Sequence, residues 1–508
     1  MDQKIKQSDF LIKVKGSFFW SLISVVAGAI TTLAFAPFDF SWLVFFTLAL
    51  VFYLWSNLPA KQASISAWLF GLGLQCSGVS WIYYSLHVHG SAPAFFAISL
   101  VFLLSCYLSL YTGLAIYVVN RYLPNNTFLR LMLFYPAAWV VFEWLQGYVM
   151  TGFAWMQLGY TQIDMPLSGF APLLGNHAIS GAIAVSAGAL VILFRQRQDL
   201  NMKHSTIVAM TVILLWSSAF TLKSVSWTEA IGEPIRVSVI QGNIAQSDKW
   251  KPHMKQTTIE MYRDLSLAQT DVDLIVWPET AVTDYRHRMQ PFLQQLSDDM
   301  KARDTDLLLG IFVRNDENRV LNSVVSVNGG VYKKRHLVPL GEYIPLRFLI
   351  EFFNKFVKIP MSDIASGEDN QKLLTAAGVP LGLSICFEDA FSRDVIKDLP
   401  EAGLLVNVSN DAWFEDSHEA HQHHAIARMR SLEAGRYMIR STNTGITALI
   451  GPHGEVIKKL PQFVRGVLKG EVQPLSGSTP FVSWGDLFIV VICTLLLLAF
   501  SVRNYFNR

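Results

Sequence analysis

The stretch Leu383-Ser384-Ile385-Cys386-Phe387-Glu388-Asp389 decides how this chain reads. An apolar, strand-like run brings one cysteine to its end, and two carboxylates follow. The chain has 4 cysteines, and Cys76, Cys106 and Cys493 all fall inside long apolar segments. Cys386 is therefore the only thiol in the more polar part of the sequence, with no partner there for an intradomain disulfide. Such a thiol is either a small buried hydrophobe or a nucleophile. The cysteine alone favours the first; the rest of the chain favours the second.

Working outward, the 508 residues are 52% hydrophobic and 16% charged, where a soluble domain carries about 25% charged residues. A net charge of +2 gives no reason to expect nucleic acid as a partner. Between Gly16 and Phe194 the only lysines or arginines are Lys61, Arg121 and Arg130. From Trp227 to Gln473 the composition is that of a mixed α/β domain, and it turns apolar again from Leu487 to Val502. The expected organisation is a membrane domain at 1–225 with seven transmembrane helices, a catalytic domain at 226–480, and a last transmembrane helix with a short tail at 481–508.

Eight apolar segments are candidate spans: Phe18–Phe35, Trp42–Asn57, Ala63–Leu86, Ala94–Tyr122, Phe128–Tyr148, Ala178–Phe194, Thr206–Leu222 and Leu487–Val502. The first two are short. The basic residues sort to alternate sides. Lys4, Lys6, Lys13, Lys15, Lys61, Arg121, Arg130, Arg195, Arg197, Lys203, Arg503 and Arg508 flank one set of loops, and the loops at 36–41, 87–93 and 149–177 hold no Lys or Arg. Both termini are thus expected in the cytoplasm and the α/β domain outside, in the periplasm of a double-membrane bacterium. Ala34-Phe35-Ala36-Pro37 is a poor cleavage site, so the first helix reads as retained rather than as a signal peptide. The 149–177 loop is rich in Gly, Pro and aromatics, Tyr160 among them, and reads as an interfacial loop or one packed on the α/β domain. Glu143 is expected to face the bundle interior with a polar partner.

In the α/β part, continuous Val/Ile/Leu runs alternate with helical segments, which argues for sheets covered by helices and loops at strand ends carrying the chemistry. Three strand-end motifs stand out: Trp277-Pro278-Glu279-Thr280, Lys334-Arg335-His336-Leu337-Val338-Pro339-Leu340-Gly341-Glu342, and Cys386-Phe387-Glu388. Each sets an ionisable residue where burial is expected and unpaired charge is costly. A thiol nucleophile needs a base to take its proton and return it to the leaving group, and the tetrahedral oxyanion needs a cation or N–H donors. Glu279, Lys334 and Cys386 satisfy that list.

The order Glu, Lys, Cys, with these flanks, resembles the nitrilase, or carbon–nitrogen hydrolase, superfamily. With the eight-helix frame it resembles the membrane-anchored N-acyltransferase branch of that superfamily. The likeness covers nearly the whole chain and includes Ser109-Leu110-Tyr111-Thr112-Gly113-Leu114, Gly159-Tyr160-Thr161-Gln162-Ile163-Asp164, Val239-Ile240-Gln241-Gly242-Asn243-Ile244, Ser409-Asn410-Asp411-Ala412-Trp413-Phe414, Ala427-Arg428-Met429-Arg430 and Arg440-Ser441-Thr442-Asn443. The resemblance implies an αββα sandwich fused to a polytopic helical membrane domain of about eight spans. It implies Cys386 as nucleophile, Glu279 as general base and acid, and Lys334 with the Phe387 N–H as oxyanion donors. Glu342 would position Lys334 and the incoming amine, and Glu388 would line the site entrance. The position after the cysteine is often tyrosine in such proteins and is Phe387 here, so any role of a phenolic hydroxyl is lost. The implied reaction is ping-pong, with no cofactor and no metal. A membrane phospholipid acylates Cys386 as a thioester, and the N-terminal amine of a diacylglyceryl-cysteine apolipoprotein accepts the chain. A monomer embedded in the inner membrane is expected.

Other residues read less sharply. Trp250 and Trp413 read equally as lining an acyl or headgroup path and as plain packing. His418, His421, His423 and His424, with Glu415, Asp416 and Glu419, match no closed metal motif and read as a solvated helix start. His87 and His89 read as polar loop residues. Two rivals stand beside the acyltransferase: an anchored amidohydrolase with the same triad, and a transporter or receptor whose outer domain only binds ligand. The second requires that Glu279, Lys334 and Cys386 do not converge.

Overall fold

The computed structural model describes residues 19–196, 202–339, 341–343 and 363–506. Lys4, Lys6, Lys13, Lys15, Phe18, Arg197, Leu340 and Arg508 lie outside these. The chain forms two compact units. One comprises Met1–Ser80, Ile98–Ser224 and Asp486–Arg508, the other Trp81–Ala97 and Val225–Gly485.

The first unit is helical. Among the described residues, five helices are long and apolar enough to cross a membrane: Ala94–Tyr122, Thr127–Gln146, Pro166–Arg195, Ser205–Leu222 and Leu487–Phe506. Phe19–Ala34 and Leu43–Trp55 are shorter apolar helices. The segment read as one span over Ala63–Leu86 is two helices, Ala60–Gly78 and Ile82–His89, bent by 59°. Small residues allow close helix contact in this unit: a Cβ on Gly73 would strike the carbonyl of Val25, and one on Gly28 the carbonyl of Phe70. Glu143 is buried as expected, accepting from the Trp139 indole at 3.2 Å and the Leu158 N–H at 2.9 Å.

Among the described residues the second unit holds fifteen strands: β1 (Thr228–Ala230), β2 (Ile235–Gln241), β3 (Leu274–Val276), β4 (Val282–Tyr285), β5 (Asp306–Arg314), β6 (Val320–Ser326), β7 (Val331–Lys333), β8 (Leu374–Ala376), β9 (Val379–Ile385), β10 (Leu404–Ser409), β11 (Met438–Thr442), β12 (Ala448–Ile450), β13 (Val456–Lys459), β14 (Gly466–Val472) and β15 (Leu475–Gly477). One sheet runs β14-β2-β3-β5-β6-β7, with β4 beside β5; the other runs β13-β12-β11-β10-β9-β8, and β1 pairs β15. The central pairs β2–β3, β3–β5, β9–β10 and β10–β11 are parallel.

Side-chain alternation assembles the layers. Val237, Val239, Leu274, Val276 and Leu308 of the first sheet meet Leu381, Leu383, Ile385, Leu404, Val406 and Val408 of the second in one core. On the far face of the first sheet, Ile240, Ile275, Leu307 and Leu309 pack under the helices Pro252–Leu267 and Gln290–Lys301. On the far face of the second, Leu405, Met438, Ala448 and Ile450 pack under Val395, Leu399, Ala427 and Ala434. The result is the αββα sandwich, with the C-terminal ends of the parallel strands β3, β9 and β10 free to carry side chains. Trp81–Ala97, which the sequence places in the membrane domain, belongs to this unit. The Trp81 indole donates to the Gln422 side-chain oxygen Oε1 at 3.1 Å and packs edge-on to Phe414.

Candidate active site

Strand β9 delivers Cys386 into the left-handed region, at φ 54°. A side chain there is strained, and the surroundings must hold it. They do so from two sides. In front, the Glu388 carboxylate accepts the N–H groups of Ile385 at 2.6 Å, Arg335 at 2.6 Å and His336 at 2.9 Å, and the Tyr332 hydroxyl at 3.0 Å. Behind, the Cys386 carbonyl accepts from Asn407 Nδ2 at 3.4 Å and lies 3.3 Å from His423 Nε2.

Glu279 follows β3 on a loop pressed against β5. Gly310 of β5 permits that approach, since a Cβ there would strike the main chain at Pro278 and Thr280. Lys334 follows β7 and is 1% exposed. Its ammonium lies 2.9 Å from both Glu342 oxygens. Glu342 also accepts the Val338 N–H at 2.8 Å. Asn322 of β6 joins the groups, its amide donating to Glu279 at 2.7 Å and to Glu342 at 3.2 Å.

Burial pushes the Glu279 carboxyl up, a rise that the ammonium groups of Lys334 and Lys249 oppose and the Glu342 charge reinforces. Burial also works against the Lys334 ammonium, but Glu342, Glu279 and Cys386 outweigh it and hold that group above the usual lysine range. The Cys386 thiol is pushed up to about 12 by burial and by Glu279, against Lys334 and His423. At neutral pH the sulfur therefore keeps its proton until a base removes it, and the acid whose charge acts most on it is Glu279. Hydrogen bonds join Glu279, Lys334 and Glu342 through Asn322, and the charges of Glu279 and Lys334 both act on Cys386.

Several sequence expectations change. Glu388 does not line an entrance: it is 1% exposed, with all four hydrogen bonds turned inward. Burial raises its carboxyl to about 7 against the pull of Lys334 and the three N–H groups. The segment from His418 to His424 is no solvated helix start. Of the helix Glu419–Ala434, Glu419, His423 and His424 are buried. His423 lies 2.8 Å from Asp389 and 3.2 Å from Asp411, and Arg440 lies 3.1 and 3.4 Å from the same two acids. Although burial and Arg440 act against it, those carboxylates hold the His423 imidazolium well above its ordinary range. The ligand atoms of Asp411, Glu419 and His423 cluster within 4.8 Å, but the cations matching these acids are already His423 and Arg440. Tyr160 belongs to the helical unit, where it is buried and its hydroxyl donates to the Ala154 carbonyl at 3.4 Å. Phe387 packs its ring edge-on to Phe391.

Trp250 and Trp413 share a cavity of about 970 Å³ with Val88, His89, Tyr285 and Phe312. Trp250 stacks on Phe312, and Trp413 sits edge-on to His89, which reaches Glu415 at 2.8 Å. Glu279, Lys334 and Cys386 are not among its walls. Sequence reasoning missed Asn322 and the buried Lys249 and placed His423 in solvent; a lysine within the run Gln246-Ser247-Asp248-Lys249-Trp250-Lys251 carries no signal of burial.

Two family models match the chain: the apolipoprotein N-acyltransferase N-terminal domain over residues 27–190, and carbon-nitrogen hydrolase over residues 236–481. The apolipoprotein N-acyltransferase of Methylococcus capsulatus is 40% identical over 476 residues, 93% of this chain and 94% of its own. That of Pseudomonas syringae pv. tomato is 39% identical over 486 residues, covering 94% and 95%. Among solved structures, an amidase of the nitrilase superfamily from Nesterenkonia aligns with 51% of this chain and 97% of its own at 13% identity, with a TM-score of 0.38.

Proposed function

The chain belongs to the apolipoprotein N-acyltransferase family, and from that premise we propose that it moves an acyl chain from a membrane phospholipid to the N-terminal amine of S-diacylglyceryl-cysteine on apolipoproteins, through a thioester on Cys386. Glu279 takes the thiol proton as sulfur attacks the ester carbonyl. The oxyanion meets the Lys334 ammonium and the Phe387 N–H. Collapse breaks the ester C–O bond, Glu279 returns its proton to the departing oxygen, and lysophospholipid leaves. The uncharged amine then attacks the thioester, Glu279 takes its proton, and the thiolate departs and is reprotonated. Glu342 holds Lys334 in place throughout.

The observation that carries this reading is the meeting of a buried acid, a buried ammonium and a thiol at a strained strand end, with Asn322 tying the acid to the Lys334–Glu342 pair. Both substrates are lipids, which accounts for a catalytic sandwich fused to apolar helices. On this reading the eight apolar segments span the inner membrane, both termini are cytoplasmic, and a single chain works in the periplasm.

Intact-mass analysis of purified protein exposed to phospholipid tests it. One added acyl chain is expected, removed by hydroxylamine, discharged by an N-terminal lipopeptide amine, and absent in Cys386→Ala. An anchored amidohydrolase would form no lipid adduct, and a Cys386→Ala protein that still transfers would sink the assignment.

A further inference from the structure

The buried ammonium of Lys249 has no part in the scheme above. It ends the short helix Gln246–Lys249 after β2, and its side chain is 4% exposed. Its Nζ donates to the main-chain carbonyl of Glu279 at 3.0 Å. A side-chain ammonium thus takes the place that a backbone N–H fills in regular structure. The loop it grips needs such a tie, because Thr280, the next residue, sits at φ 44°. The charged groups that face Lys249 are Glu279, from the loop after β3, and Cys386, from the end of β9. The charges of Lys334 and Glu342 also act on Glu279.

The charge balance gives this cation a task. Lys334 is engaged by both oxygens of Glu342 at 2.9 Å. Its charge also acts on Glu279 and on the Cys386 sulfur, which exchange one proton and one negative charge during the reaction and which both act on Lys249 as a second ammonium. We propose that Lys249 is a positioning residue of this site: it fixes the Glu279 loop through its carbonyl and supplies the counter-charge for the Glu279–Cys386 pair. The negative charge moves from carboxylate to sulfur without leaving the reach of that ammonium, so neither state is left uncompensated in a buried site. Burial lowers Lys249 to about 8, against Glu279 and Cys386, so it is cationic at neutral pH and loses its charge in mildly alkaline solution. The inference rests on the Glu279–Lys334–Cys386 reading.

The test uses the full chain in detergent micelles and follows alkylation of the Cys386 peptide by iodoacetamide, by mass spectrometry, from pH 6 to pH 10. Lys249→Gln keeps an N–H donor without charge, Lys249→Met removes both, and Lys249→Arg keeps both. The Gln and Met variants are expected to alkylate about tenfold more slowly at pH 7.5, with the pH profile moved up by about one unit, the equivalence of a tenfold change in proton affinity. Lys249→Arg is expected to stay within about threefold of the parent. A purely structural lysine would lower the amplitude and leave the profile where it was, and that result overturns the proposal. So does an Arg variant as slow as the Met variant. Should Lys249→Met not fold, the Gln and Arg pair decides. Alkylation involves no lipid, so a missing acyl adduct would count against the transfer reaction alone. An unmoved profile in variants that still form the adduct would count against Lys249 alone.

Discussion

Replacing Glu388 by Gln separates a residue that holds the nucleophile from one that greets the substrate. The carboxylate accepts from three backbone N–H groups and one hydroxyl. A glutamine oxygen can keep the pair from Arg335 and His336. Its NH₂ then faces the Ile385 N–H, donor against donor, while the Tyr332 hydroxyl can turn to accept. One buried N–H is orphaned, at about 1–3 kcal/mol, and the remaining bonds lose their charge assistance, about 1 kcal/mol in all. Relief from burying a charge offsets part of this at neutral pH, since the carboxyl titrates near 7. The net expectation is a loss of about 2–3 kcal/mol, or roughly 4–12 °C in unfolding midpoint for a unit of this size. The Ile385 N–H adjoins the strained Cys386, so Cys386 alkylation should slow in parallel. Thermal unfolding in detergent, with alkylation measured beside it, checks both. A Glu388→Gln protein as stable as the parent, with normal alkylation but a weakened apparent affinity for phospholipid, would refute the clamp and restore an entrance role.

Three further outcomes are expected. Gly310→Ala puts a methyl into the main chain at Pro278 and Thr280; about 1–3 kcal/mol of overpacking and a displaced Glu279 should lower both unfolding midpoint and alkylation rate, and an unchanged rate would show that the loop tolerates the shift. Asn322→Asp sets a third carboxylate between Glu279 and Glu342, so it should slow thioester formation more than Asn322→Leu does, measured by intact mass over time. Stability should fall as pH rises from about 5 to 8. Burial raises both Glu388 and Glu419 from 4.5 to about 7. The folded state therefore binds protons the unfolded chain has released, and each acid withdraws up to roughly 3 kcal/mol across that window. The raised His423 acts in the same direction, its contribution full below the unfolded value and lost as pH climbs through the folded one. Asp411 opposes at the acid end: His423, Arg440 and Ser409 outweigh burial to hold it near 2, so its contribution is lost as pH falls through that value. Glu419→Gln should flatten the slope between pH 5 and 8; a slope equal to the parent's would remove Glu419 from the account.

What the sequence made legible follows from where each residue's burial comes from. Strand β10 read clearly, because Leu404, Leu405, Val406 and Val408 make one of the near-continuous apolar runs. Strand β14 did not, since only Leu468 and Val472 of its seven residues are buried; its existence depends on seven register pairs with β2, more than two hundred residues away. Glu279, Lys334 and Cys386 were legible because each ends an apolar strand, where a polar residue stands out against its neighbours. Lys249 stands among polar neighbours and is buried by a loop distant in sequence, so nothing local marks it. The bend between Ala60–Gly78 and Ile82–His89 is likewise invisible to hydropathy, which sums apolarity and not direction; Trp81 is turned by its contacts with Gln422 and Phe414. The helix from Glu419 to Ala434 is the sharpest case. Pattern reading assumes one wet face and one dry one. Fourteen of this helix's sixteen residues are buried, and its His423 is met by Asp389, Asp411 and Glu419 instead of water. A helix enclosed by partners of its own polarity has no amphipathic stripe, so composition assigns to solvent the very side chains that stand behind the nucleophile.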